Sequence, residues 1–331
     1  MKMMDKPLPK RQQGLALMIV IFVFALVSVL SVGMYNRQSL FVQTAGNIMA
    51  QSQAYEWALG TEIFGRRLLK DGWDEDKENG EFVDDLKEIE SSLILPRDEA
   101  LIEAQFNDLH GRLNLNDLVN LDGTPNVLMG ERFTRLLTRL DINSVKVEAI
   151  QDWIDENQQP IGMTGAEDGE YLVADPPYRN AGQPFTHVSE LLLLPGVDRA
   201  EYDVLIPHIS ALPQGRVVIN VNTATNEVLQ SLTNPSLSDA MVDELASKRK
   251  EEPWKDINLF KSDPLLTGAT LDTTNLAVYS EFFEIASRIT LSDRVVRLVS
   301  VVFRSQSDGA MTVLSRNQGQ KYLITKEQIG L

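Results

Sequence analysis

The sequence predicts an α+β fold in which a long N-terminal helix packs on an antiparallel sheet and a large helical domain is inserted into that sheet. The first observation is the uncharged stretch Leu15–Met34, twenty residues that would span about 30 Å as a helix. The second is the presence of four candidate strands: Glu99–Asn107, which alternates in part, then the strong strands Glu281–Thr290 and Arg294–Arg304, and Ala310–Ser315 after a turn. The third is the long helical region, 117–277, that separates the first of these strands from the other three.

The N-terminus predicts a membrane anchor with an unusual processing signal. Residues Met1–Gly14 carry four basic residues against the single acid Asp5, so this flank should stay in the cytoplasm. An ordinary secretory signal has its small-residue cleavage site after the apolar region, whereas here Gly14 lies directly before it. Two interpretations follow: a leader that is cut before Leu15, or an uncut signal anchor.

The apolar helix is expected to continue beyond the membrane as far as Lys70. Proline is absent from Tyr35–Lys70, and one helix over Leu15–Lys70 would be about 80 Å long. Apolar residues recur there at helical spacing: Leu40, Phe41, Ile48, Met49, Trp57, Phe64 and Leu68. The acidic segment Asp71–Glu90 is expected to form an exposed loop and a short helix.

The amino-acid composition excludes some kinds of binding site and disfavours some partners for this chain. The chain has 331 residues, a net charge of −16 and no cysteine, which excludes a disulfide framework and a thiolate metal site. Removal of the leader, which has a net charge of +3, would leave a mature chain with a net charge of −19. Such an acidic balance disfavours nucleic acids and anionic membrane surfaces as partners.

The leader resembles the class III signal of type IV pilins and type II secretion pseudopilins, which also ends in glycine before an apolar helix. The resemblance implies that a prepilin peptidase cuts after Gly14 and methylates Leu15, although the family usually has phenylalanine at that position. Ile19 would be the fifth mature residue, where most members carry a glutamate that pairs with the N-terminal amine of the preceding subunit. Absence of this glutamate suits a first subunit at a fibre tip, and it is typical of minor pseudopilin K of type II secretion.

Further strings along the chain resemble the same family. The segments that resemble it are Gly111–Leu118, Asp152–Asn157, Gly165–Leu172, Pro176–Phe185, His187–Val197 and Ile219–Leu229. Within them, GAED, PPYR and INVNTA in this order are the most specific strings. The resemblance implies a pilin-like fold with an inserted helical domain. The expected organisation is a leader (1–14), a transmembrane half-helix (15–34), a periplasmic half-helix (35–70), a pilin-like domain (71–116 and 278–331) and the inserted domain (117–277).

An acidic loop in the insertion is a candidate cation site. It is rich in glycine and proline and offers the oxygen ligands that calcium prefers, but it lacks the spacing of an EF-hand. The family resemblance implies calcium here, with Asp155, Asn157, Glu167 and Asp168 as candidate ligands. Asn157 replaces an aspartate that is frequent in the family, which should weaken binding. The alternative is an exposed acidic loop without a metal.

Two segments of the insertion resemble helix-hairpin-helix (SAM-like) modules, many of which bind DNA phosphates through backbone N–H groups. The second has Thr233–Leu237 where a Gly-x-Gly hairpin belongs. Residues 186–265 hold seven basic and twelve acidic residues, whereas a phosphate-binding region should be basic. A structural role is therefore expected. The three histidines form no zinc-binding pair, and no nucleophile or nucleotide-binding motif supports an enzyme.

The resemblance implies a minor pseudopilin that caps the periplasmic pseudopilus and helps initiate its assembly for protein export. It would be a single-pass inner-membrane protein with its C-terminal bulk in the periplasm. Its expected partners are the I and J minor pseudopilins, then the H type and the major G type, the prepilin peptidase, the inner-membrane assembly platform and exported proteins. A membrane-anchored DNA receptor and a signal-anchored periplasmic enzyme are the alternatives.

Overall fold

The computed structural model describes residues 13–79, 83–84, 92–97, 100–291 and 294–320. Most of the predicted leader and parts of the acidic segment 71–90 lie outside the described residues. Among the described residues, the helices are α1 (Gln13–Asn79), α2 (Val127–Arg139), α3 (Val147–Ile154), α4 (Asp168–Tyr171), α5 (Arg199–Leu205), α6 (Asn226–Ser231), α7 (Asp239–Glu251) and α8 (Ile257–Lys261). Short 3-10 helices cover Leu115–Leu118, Val188–Leu193, Ile206–His208 and Pro264–Leu266.

In the part of the chain that the structure describes, the strands form one main sheet and three small two-stranded pairs. In chain order they are β1 (Ser92–Arg97), β2 (Ala100–Asp108), β3 (Leu113–Asn114), β4 (Ile209–Ser210), β5 (Ile219–Asn220), β6 (Thr233–Asn234), β7 (Thr270–Leu271), β8 (Leu276–Ala277), β9 (Phe282–Leu291), β10 (Arg294–Arg304) and β11 (Met311–Asn317). The main sheet has the order β1-β2-β9-β10-β11 and is antiparallel throughout. The four predicted strands are confirmed with small shifts at their ends, and β1 was not predicted.

Helix α1 packs on the sheet through small side chains. Ala54 and Ala58 are fully buried, and they lie against an apolar cluster that includes Ile289 and Leu298. Two turns further on, a methyl group at Gly65 would lie 2.3 Å from the Phe106 ring, so glycine is needed for this close approach. The predicted long helix packed on an antiparallel sheet is therefore confirmed.

The prediction that α1 ends at Lys70 is wrong, because the helix continues to Asn79. Trp73 explains the extension, since its side chain is 2% exposed and therefore holds this turn of α1 against the protein. The Trp73 ring packs against Gly309, where an added methyl group would lie 2.5 Å from the ring. Gly309 also has φ of +65°, a conformation that favours glycine. The residues from Asp71 to Asn79 are thus helix rather than loop.

The region between β2 and β9 has an apolar core of its own. Phe133, Ile150, Trp153, Leu229 and Leu245 are each at most 3% exposed and belong to one buried cluster. Short helices surround this cluster, and the segments that resemble helix-hairpin-helix modules contain the 3-10 helix Val188–Leu193, α5, α6 and α7. Assignment of these helices to that module type stays a prediction.

Candidate functional site

The N-terminal part of α1 is an uncovered apolar rod. It is the helix among the described residues that is long and apolar enough to cross a membrane, with a mean hydropathy of 3.0 in its most apolar window. Ile19 is 55% exposed, and its apolar neighbours in the helix are exposed to similar extents. Gly14 and Leu15 lie in the first turn of this helix. The helix geometry tests neither cleavage after Gly14 nor methylation of Leu15, so both stay predictions.

Beyond the membrane segment, α1 carries an exposed apolar surface, which we call its outer face and which no other element of the described residues covers. The apolar residues on this outer face are Leu40, Phe41, Ile48, Met49, Phe64 and Leu68, which are 41–75% exposed. Trp57, from the same predicted series, is partly buried against the sheet. Exposed apolar surface of this extent is typical of a protein–protein interface.

A buried carboxylate fixes α1 to the edge of the sheet. The Glu62 side chain is 2% exposed and accepts hydrogen bonds from Nε and Nη2 of Arg316 at 2.6 and 2.8 Å. The Ser300 hydroxyl donates to the same carboxylate at 2.7 Å. Burial alone would raise the pKa of Glu62, but the bonds from Arg316 and Ser300 outweigh burial and lower it. Glu62 therefore connects α1 to β10 and β11.

The acidic loop starts at the C-terminal end of α3. Asp152 and Asp155 are three residues apart and so lie on the same side of the helix end, and they are 0% and 4% exposed. Glu167 precedes α4 and is 5% exposed. These three carboxylates interact electrostatically, which raises the pKa of Glu167 in addition to the larger effect of its burial. Burial raises the pKa of Asp152 to about 6.

The Glu167 carboxylate is only partly satisfied by hydrogen bonds from the protein. Asn180 donates its side-chain N–H groups to Oε2 of Glu167 at 2.6 Å and to the Asp152 carbonyl at 2.7 Å. Oε1 of Glu167 is buried and has no hydrogen-bond partner. Asp155 accepts a hydrogen bond from the backbone N–H of Asn157 at 3.0 Å and another from the Asn157 side chain. An unpartnered buried carboxylate oxygen beside other acids fits an oxygen-binding cation such as calcium.

The structure places the four predicted ligands in one region but gives them different partners. Asp155 and Asp168 both interact electrostatically with Glu167, and Asp168 is also held by Arg179 at 2.8 Å and by the Asn180 backbone N–H at 3.0 Å. Asn157 directs its side-chain oxygen to the backbone of its own loop. Across the described part of the chain, no three acidic or histidine side chains form a group that could hold a metal. Calcium therefore stays a prediction.

Sequence reasoning missed Asp152 and Asn180 as members of this site. Asp152 could have been found, because it precedes Asp155 by one helical turn in the string DWID. Asn180 gave no such signal, since its role depends on the fold bringing it against both Asp152 and Glu167.

Two of the three residues in the basic run 248–250, in the second helix-hairpin-helix-like segment, stabilise the fold. Lys248 pairs with Asp263 at 3.1 Å. Arg249 is buried and donates to the backbone carbonyls of Val221 and Ala224 at 3.0 and 2.6 Å. Side chains used in this way are not available to phosphates, which agrees with the acidic balance of the region.

Comparison with known proteins identifies the family. Two sequence models described as "Type II secretion system (T2SS), protein K" match residues 111–214 and 219–279. Type II secretion system protein K of Pseudomonas aeruginosa is 33% identical over 320 residues, which is 93% of each chain. The Klebsiella pneumoniae protein K is 30% identical, covering 82% of this chain and 86% of that one.

A solved structure has the same fold. It is the GspK-GspI-GspJ complex of the type 2 secretion system of enterotoxigenic Escherichia coli, whose matching chain has a TM-score of 0.67 and 24% identity. The match covers 82% of this chain and 97% of that chain. The chain therefore belongs to the type II secretion system protein K family and is a minor pseudopilin, a structural component of that secretion machine.

Proposed function

We propose that this chain is the tip subunit of the pseudopilus, which caps the fibre and helps initiate its assembly for protein export. The observation that carries the proposal is the apolar N-terminal rod with isoleucine at position 19. A subunit entering beneath another needs a carboxylate there to pair with a buried amine, because an unpaired charge in hydrocarbon is costly. A subunit that enters first needs only to offer its own amine to the next one.

We infer that the mature chain starts at Leu15, carries a methylated N-terminus and lies in the inner membrane with its bulk in the periplasm. The prepilin peptidase would make the cut, and the inner-membrane assembly platform would then extract α1 into the fibre. The positive flank before Gly14 and the uncharged helix after it support this orientation.

We propose that the outer face of α1 binds the I and J minor pseudopilins, followed by the H type and the major G type. The related complex contains GspI and GspJ together with its GspK chain. The exposed apolar residues Ile48, Phe64 and Leu68 supply a surface for such a partner. Exported proteins would meet the insertion at the tip. No catalytic activity and no nucleic-acid partner are proposed.

We also propose that residues 117–277 form one inserted domain, built in part from helix-hairpin-helix-like modules, whose bulk prevents addition of a subunit above it. Its separate apolar core supports this division.

The tip position predicts where the chain lies on assembled fibres. Pseudopili assembled in cells can be labelled with an antibody raised against the insertion and viewed by electron microscopy. We expect one label at one end of each fibre, because the insertion blocks further addition there. Labels spaced along the fibre would contradict the tip assignment while leaving family membership intact.

We propose that the acidic loop binds calcium through Asp155 and Glu167, with Asp152 beside them. Asp168 and Asn157 would support the loop from its outer side. Calcium would satisfy the unpartnered Glu167 oxygen and offset the repulsion among the acids. The site would then stabilise the loop that carries the family strings GAED and PPYR.

Calcium should raise the stability of the wild-type chain but not that of a Glu167→Gln variant. At a free calcium concentration a hundred times the dissociation constant, we expect a gain of about 2.7 kcal/mol in the free energy of unfolding. The measurement is urea unfolding with calcium and with a chelator. Glu170→Gln replaces an exposed acid in α4, the short helix that follows Glu167; it is the matched control and should keep the full gain. An equal gain in the Glu167→Gln variant would exclude this site.

A further inference from the structure

The main chain passes between the sheet and the insertion at two adjacent points. It leaves the sheet after Asp108, at the end of β2, and returns through Ser280 into β9. The two crossings lie side by side, since the Leu109 backbone N–H donates to the Phe282 carbonyl at 3.0 Å. A cluster of buried polar residues, which we call the junction cluster, surrounds these crossings: Asp84, Asp108, Asn220, Thr223, Ser280 and Arg304.

Asp108 holds the insertion and both crossings through one carboxylate. Its Oδ2 accepts bonds from the hydroxyl groups of Thr223, inside the insertion, and Ser280, on the returning crossing. Its Oδ1 accepts the backbone N–H of His110 at 2.8 Å, on the outgoing crossing. Asn220 adds a longer bond to Oδ2 at 3.4 Å. The carboxylate is only 8% exposed, so these donors replace its water.

Arg304 connects the same point to the sheet and to α1. Its guanidinium is almost fully buried and pairs with the Asp84 carboxylate. It also donates to the Ser280 carbonyl at 2.8 Å and to the Leu69 carbonyl in α1 at 3.3 Å. The Ser280 backbone N–H donates to Asp84 at 2.8 Å. Ser280 therefore links the Asp108 half of the junction cluster to the Arg304 half through its N–H, carbonyl and hydroxyl groups.

Two domains joined by two chain crossings would ordinarily move relative to one another. A buried polar network resists this motion, because opening it exposes several charged and hydrogen-bonding groups at once. We propose that the junction cluster joins α1, the sheet and the insertion into one cooperative unit. A force or a binding contact at the insertion would then be transmitted to α1, because no flexible hinge lies between them. This coupling goes beyond the proposed function and holds wherever on the fibre the chain lies.

The test is whether the insertion opens together with the sheet. The full chain in detergent micelles is compared with Asp108→Asn and Ser280→Ala variants by hydrogen exchange at increasing denaturant. In the wild-type chain, we expect amides of β9 and of α7 to show the same opening free energy. In both variants, we expect α7 amides to exchange at least about tenfold faster than β9 amides.

An apolar contact at the same junction provides the matched control. Leu109, Leu212, Val217 and Phe282 form a buried cluster beside the crossings. Leu212→Ala should lower the stability of both parts together, without separating them. If α7 and β9 opened separately in Leu212→Ala but not in Asp108→Asn, the coupling would be due to apolar packing, which would overturn the proposal. Separate opening in the wild-type chain would overturn it as well.

Because the chain contains no cysteine, spin labels can be attached at two chosen positions, and the distance between them gives a second test. Spin labels at Arg67→Cys in α1 and Glu131→Cys in α2 occupy mostly exposed positions. We expect a narrow distance distribution in the wild-type background and a broadened one with Asp108→Asn. A narrow, unchanged distribution in the variant would show that the junction cluster does not set the orientation of the insertion.

Discussion

Replacing Glu62 with glutamine is expected to lower the free energy of unfolding by about 2 kcal/mol, the scale of hydrogen bonds to a buried charged group. Glutamine keeps the shape of the side chain, but it loses the charge that Arg316 and Ser300 hold between α1 and the sheet. The measurement is urea unfolding of the full chain in detergent at pH 7.

The sign of the pH dependence makes this test specific. The pKa of Glu62 is lowered in the folded chain, so the carboxylate stabilises the fold above its ordinary pKa. This contribution is lost as the pH falls through the lowered value. The difference between wild type and Glu62→Gln should therefore be full at pH 7 and shrink at pH 3. Arg67→Gln, which removes an exposed ion pair with Asp71 on the same helix, is the control and should cause no measurable change. A pH-independent difference would contradict the assignment.

The outer face of α1 should be needed for assembly but not for folding. Because Ile48 and Phe64 are 60% and 48% exposed, an Ile48→Glu, Phe64→Glu double variant should fold with nearly wild-type stability. Its dissociation constant for the I and J minor pseudopilins should rise at least about a hundredfold, since loss of central apolar anchors dominates such interfaces. The measurement is binding of purified partners in detergent.

Two comparison variants separate assembly from folding. Gln51→Glu adds a charge at an exposed polar position of the same helix and should leave binding nearly unchanged. Ala58→Glu places a charge at a fully buried position against the sheet and should prevent folding. Wild-type affinity in the Ile48→Glu, Phe64→Glu variant would move the partner site away from the outer face of α1.

The elements with strong local sequence signals could be predicted from the sequence, and those defined by long-range contacts could not. Arg294–Arg304 is rich in valine, which favours strands, and forms β10 with the predicted bounds. β1 carries Pro96 on an edge strand, where proline weakens the strand signal. The end of α1 was missed because Trp73 becomes buried only when Gly309 is brought against it.

The same limit applies to the candidate sites. Acidic content and family resemblance placed a cation site near Asp155 and Glu167, and the fold brings these two together. Whether Asp168 faces a cation or Arg179 depends on a loop conformation that spacing does not determine. The hydrogen bonds of Glu62 with Arg316 and of Asp108 with Ser280 join residues far apart in the chain, so no local sequence pattern predicts them.

The most direct test of the pseudopilin account is the identity of the mature N-terminus. Intact mass and N-terminal sequencing of the membrane-extracted chain should be compared with those of a Gly14→Ala variant. We predict a wild-type chain that begins at methylated Leu15 and a variant that keeps its leader. A chain that begins at Met1 in both proteins would contradict processing by a prepilin peptidase, and with it entry of this subunit into a pseudopilus.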